Sequence, residues 1–79
     1  MNTPVIVGQR DGWVTVEGLN DEQEDDLYEY LEVQCGYGKT LMGAIGRPYK
    51  LIVRGATLST LTEKVRKYLT DHAVAHRVL

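Results

Sequence analysis

Phenylalanine is missing from this chain, and cysteine, tryptophan and proline are scarce: its 79 residues include one Cys, one Trp and two Pro. Cys35, being alone, cannot close an internal disulfide, which argues against an oxidised, disulfide-stapled scaffold. In its alternating surroundings it reads as a small core hydrophobe. No apolar run approaches the roughly 18–20 residues that a membrane span requires. The N-terminal residues show no basic region followed by an apolar one, the mark of a signal peptide. A cytoplasmic protein without membrane contact is the expectation. Without Phe, ring packing falls to five Tyr and to Trp13, side chains that combine apolar area with a polar group and recur at hydrated interfaces.

What the chain does have is charge, unevenly placed. Residues 1–38 carry nine acids against one base, Arg10, a balance of −8; residues 39–79 carry eight bases against two acids, Glu63 and Asp71, a balance of +6. The formal net charge of −2 therefore conceals a dipolar chain, and such fields steer partners. At this length a single domain spans residues 1–79, and it buries roughly 60–65% of the surface its unfolded form exposes.

Local patterns suggest the elements. Val5, Ile6 and Val7 follow Pro4 and favour extended backbone. Asp11-Gly12 is a hairpin signal, because a type I′ turn needs positive φ at both central residues. Trp13 to Glu17 is the return strand, with Val14 and Val16 on the core face and Trp13, Thr15 and Glu17 on the other. Asn20 to Asp26 is an acid run, either a loop or a helix opened by an Asn20 or Asp21 cap. From Tyr28 to Cys35, aromatic and β-branched content favours a strand. Gly36-Tyr37-Gly38 is a turn. Thr40 to Ile45 alternates weakly, and Gly43 and Gly46 mark a bulge or a close approach. Tyr49 to Arg54 is a clear strand, with Tyr49, Leu51 and Val53 opposite Lys50, Ile52 and Arg54. Thr60-Leu61-Thr62-Glu63 matches a capping box. Leu61, Val65, Tyr68, Leu69 and His72 then make one face of a helix that ends near Asp71 or His72. Residues 73–79 extend that helix or add an edge strand. The expected fold class is α+β: a small antiparallel β-sheet of four strands, or five with that edge strand, packed against one C-terminal helix.

Motifs for catalysis are weak. Gly36-Tyr37-Gly38-Lys39-Thr40 ends like a phosphate-binding loop, but the full pattern needs a glycine where Val33 stands. Anion binding by the glycine turn alone is less demanding. His72 and His76 have metal-ligand spacing on a helix, yet no third or fourth ligand is legible. Ser59, the only serine, sits at a helix start, where a structural role suffices. Dense carboxylates in 21–26 suggest solvation, whereas a catalytic acid needs burial and a raised pKa. No enzyme, cofactor or metal is expected.

Binding is the better expectation. Asp21, Glu22, Glu24, Asp25, Asp26, Glu29 and Glu32, with Tyr28 and Tyr30 interleaved, form a surface suited to dock on the basic surface of a partner protein, with its gain in steering and specificity. The action would be steric occlusion. One alternative is a nucleic-acid-binding module in which Lys39, Arg47, Lys50, Arg54, Lys64, Arg66 and Lys67 meet phosphates and tyrosines stack on bases. Another is a subunit that self-associates head to tail, acidic half to basic half. In size and lack of catalytic motifs the chain resembles the small single-domain proteins encoded by phages and mobile elements, many of which bind and inhibit one host protein.

Overall fold

The computed structural model describes residues 3–43 and 48–79. Strand β1 (Val5–Arg10) turns through Asp11 and Gly12, both at positive φ, into β2 (Trp13–Glu17). Helix α1 (Asp21–Cys35) follows, then β3 (Thr40–Met42), β4 (Tyr49–Val53), helix α2 (Leu58–Asp71) and β5 (His76–Val78). The element order is thus ββα twice over, closed by one further strand. The strands form one sheet in the order β3-β4-β2-β1-β5. All pairings are antiparallel except β1 with β5, where Val5 lies opposite His76 and Val7 opposite Val78.

The sheet is mixed rather than antiparallel, and the fold has two substantial helices rather than one at the C-terminus. The segment Tyr28 to Cys35, expected as a strand, is the second half of α1. The reason lies at its start. Asn20 accepts the Gln23 N–H at 2.8 Å and Gln23 Oε1 accepts the Asn20 N–H at 2.9 Å, a reciprocal capping box. Asp21, Glu22 and Glu24 occupy the first turn, where the helix dipole favours acids. Once the helix is started there, its period leaves Leu27 and Leu31 buried and Val33 60% exposed. The alternation that suggested a strand does not describe which residues are inside.

Helix α2 begins earlier than its expected cap. Thr57, not Thr60, is the N-cap, and its hydroxyl accepts the Thr60 N–H at 3.1 Å. The far end is a Schellman turn: the Val74 N–H donates to the Leu69 carbonyl and the Ala73 N–H to that of Thr70. Ala73 sits at φ 55°, where glycine is usual. This turn reverses the chain, the Val5 N–H donates to the Ala75 carbonyl, and β5 runs alongside β1.

Both helices cover the same side of the sheet. Val5, Val7, Val14, Val16, Tyr49, Leu51 and Val53 from the strands meet Leu27 and Leu31 of α1 and Leu61, Val65, Tyr68 and Leu69 of α2 in one core. Each such aliphatic side chain contributes about 1.5–3 kcal/mol on burial. Among the described residues the opposite side of the sheet carries no helix, and Trp13 and Ile52, on that side, are half-buried. Of Gly43 and Gly46, expected to mark a bulge or a close approach, only Gly43 is among the described residues. There a Cβ would come within 2.9 Å of Lys50 Cβ, the close approach the glycine allows. Gly46 and Arg47 lie outside the described residues.

Candidate functional site

Helix α1 collects the acid run on one rigid element. Its 15 residues hold all seven acids from Asp21 to Glu32 and no base. At 1.5 Å per residue it is about 22 Å long. Asp21, Glu22, Asp25, Asp26 and Glu29 are exposed, and Glu24 is half-buried. Glu22, Asp26, Glu29 and Val33 fall at i, i+4, i+7 and i+11, so they form a stripe on one side of the helix. That stripe borders a groove between the helices. Its upper part, about 390 Å³, is lined by Glu22, Gln23, Asp26, Tyr68, His72 and Val74. Its lower part, about 350 Å³, is lined by Asp26, Glu29, Tyr30, Val33, Tyr68 and His72.

The groove floor is aromatic. The rings of Tyr30 and Tyr68 lie 5.4 Å apart between centroids, and those of Tyr68 and His72 4.2 Å apart. Tyr68 donates its hydroxyl to Asp26 Oδ2 at 2.7 Å, bridging α2 to α1. Burial, then the hydrogen bond and charge of Asp26, push the Tyr68 hydroxyl well above its ordinary pKa. His72 Nδ1 is 2.9 Å from the Tyr68 carbonyl, and Nε2 is 3.6 Å from Asp26 Oδ2. The carbonyl can only accept, so Nδ1 carries a proton; Nε2 then faces Asp26 as an N–H in the imidazolium and as a lone pair in the neutral ring.

Of the expected docking residues, Glu32 is inside and Tyr28 is half-buried. Glu32 is only 7% exposed, and its Oε2 accepts the Gly38 N–H at 2.8 Å. The glycine turn, considered above for anion binding, has thus given that N–H to an anion of the same chain. Tyr28, one turn earlier, donates to the Thr40 carbonyl at 3.1 Å. The neighbouring Glu32 carboxylate first, then burial, raises its pKa. Tyr49, in the core, donates to the Glu24 carbonyl at 3.3 Å. Burial, with Glu24 and Asp25 nearby, pushes its pKa far up. Tyr68 and His72 were not legible as neighbours of the acid run, because the 42 residues between Asp26 and Tyr68, and the still longer stretch to His72, are closed only by the packing of the two helices.

The bases do not gather into one patch. Lys50 is on the helix-free side of the sheet, and Arg54 follows at the end of its strand. Lys64, Arg66 and Lys67 are on α2, across the sheet from Lys50. Arg66 pairs with Glu63 at 3.1 Å and Lys67 with Asp71 at 3.2 Å, exposed pairs of little energetic weight. Lys39 lies beside the glycine turn, its stem over Gly36. His76 Nδ1 is 2.8 Å from the Val74 carbonyl. Among the described residues no group of three or more His, Cys, Asp or Glu could hold a metal ion, and no helix is long and apolar enough to cross a membrane. Nothing matches the chain among protein-family models, curated proteins or solved structures.

Proposed function

We propose that this protein is a non-enzymatic binding module whose helix α1 docks on the basic surface of a partner protein. The observation that carries this reading is the solvent side of α1. Asp25, Asp26 and Glu29 stand beyond the first turn, where the helix dipole no longer compensates them. Glu22–Asp26 and Asp25–Glu29 are like-charge pairs at i, i+4, each costing about 0.2–0.5 kcal/mol. No base on α1 relieves them. A helix that only had to cover the sheet would be more stable with mixed charge. Carboxylates held along a rigid rod at one-turn spacing offer a basic surface a matched row of acceptors, and the adjoining Tyr30 and Val33 add apolar contact.

The test uses the triple variant Glu22→Gln, Asp25→Asn, Glu29→Gln, which leaves Asp26 bonded to Tyr68. Tagged wild type and variant are used to capture partners from nuclease-treated lysate at low and high salt. A protein retained by the wild type at low salt, and lost in the folded variant, is the expected result. Equal capture by both sinks the reading.

A further inference from the structure

The helix-free side of the sheet is a second surface, of opposite character to α1. Leu41 of β3 pairs with Ile52 of β4, and one step along the β2–β4 register sets Ile52 beside Trp13 of β2. Arg10 of β1 lies opposite Trp13. The result is an apolar row across four strands with a guanidinium at its end. Lys50 lies opposite Thr15 and Arg77 opposite Ile6, on the same side. Leu41 is 40% exposed. Among the described residues Arg10, Lys50 and Arg77 form no ion pair, unlike Arg66 and Lys67 on α2. Glu17 is the one acid among these strand positions.

We propose that this open face is a platform for a short single-stranded nucleic acid, with bases against Trp13 and Ile52 and phosphates met by Arg10, Lys50 and Arg77. Three observations favour that occupant. The cations are unpaired and flank an aromatic ring, the combination by which single strands are held without sequence readout. Five strands at about 4.8 Å give the face a width of a few nucleotides. The backbone groups within the sheet are already bonded to neighbouring strands, so side chains alone face the ligand. The acids of α1 do not forbid it. They belong to the helix layer on the opposite side of the sheet, and exposed charges are screened over a Debye length of about 8 Å at physiological salt. The site is independent of α1 and of the docking reading.

Trp13 is the only tryptophan, so its fluorescence reports on this face directly. The probe is an oligothymidylate of about twelve nucleotides, within the site sizes that single strands occupy. The expected result is saturable quenching, with affinity falling as roughly the second power of salt concentration for three phosphate contacts. Arg10→Gln with Lys50→Gln should weaken binding by about ten-fold or more, while Arg66→Gln with Lys67→Gln leaves it unchanged. Thermal melting of both variants establishes that they are folded. Absence of quenching overturns the proposal, as does equal affinity for duplex DNA or equal loss in the α2 variant. A concentration-dependent change in Trp13 emission without oligonucleotide, matched by dimer in sedimentation, also overturns it, since a second copy then covers the face.

Discussion

Glu32 separates a structural acid from a docking acid, and replacing it makes the distinction measurable. Its carboxylate is 7% exposed and accepts the Gly38 N–H at 2.8 Å, so it fastens the end of α1 to the turn that leads into β3. A hydrogen bond to a charged group contributes about 1.5–3 kcal/mol. Glu32→Ala removes that acceptor together with the side-chain packing, and should cost about 2–3 kcal/mol. For a domain of this size 1 kcal/mol corresponds to about 4–8 °C in Tm, so Tm should fall by roughly 8–24 °C. Glu32→Gln keeps a carbonyl oxygen that can accept from Gly38 and should lose about half as much. Glu29→Gln, an exposed control three residues away, should stay within about 0.5 kcal/mol of wild type. Urea denaturation gives the free energies, and an unchanged m-value shows that the native state is comparable. If Glu32→Ala lies within about 0.5 kcal/mol of wild type, the internal role assigned to Glu32 is wrong.

Three further outcomes are expected. Thr40 Oγ1 is buried without a hydrogen-bond partner among the described residues, so Thr40→Val should leave stability unchanged or raise it by about 1 kcal/mol in the same denaturation assay. Ala73 is held at φ 55° in the turn after α2, and Ala73→Gly should stabilise by about 0.5–1 kcal/mol, read as a rise in Tm. Tyr28, Tyr49 and Tyr68 have folded pKa values raised above the ordinary value of 10.0. The stability they contribute is complete below pH 10 and is lost above it, as the unfolded chain ionises first. For the well-buried Tyr49 and Tyr68 the loss should approach about 1.4 kcal/mol per pH unit each, and Tyr49→Phe should flatten the alkaline limb of a stability-versus-pH curve.

The strands of the first hairpin, the strand at Tyr49 and the apolar face of α2 were legible because their periods are unambiguous over several residues. Val14 and Val16 are inside and Trp13 is on the other side, as alternation predicts. Residues 28–35 were not legible, because Leu27 and Leu31 fit both periods and the deciding contact is a cap eight residues earlier, between Asn20 and Gln23. The parallel pairing of β5 with β1 depends on a left-handed alanine at position 73, for which composition gives no signal. Of the candidate site, the exposed acids could be read from sequence. The burial of Glu32 could not, nor could the approach of Tyr68 and His72 to Asp26, since both arise from contacts between elements.

The most direct test of the central claim, that α1 keeps its carboxylates for docking at the expense of stability, is the unfolding free energy of Glu22→Gln, Asp25→Asn, Glu29→Gln at low salt, measured beside its partner capture. Relief of the like-charge pairs that Glu22, Asp25 and Glu29 make along α1, Glu22–Asp26 and Asp25–Glu29 among them, offset by the dipole contribution of Glu22, should make the variant more stable by about 0.5–1.5 kcal/mol while capture is lost. A variant that is less stable than wild type, with capture retained, would contradict the account: the acids would then serve the fold and not a partner.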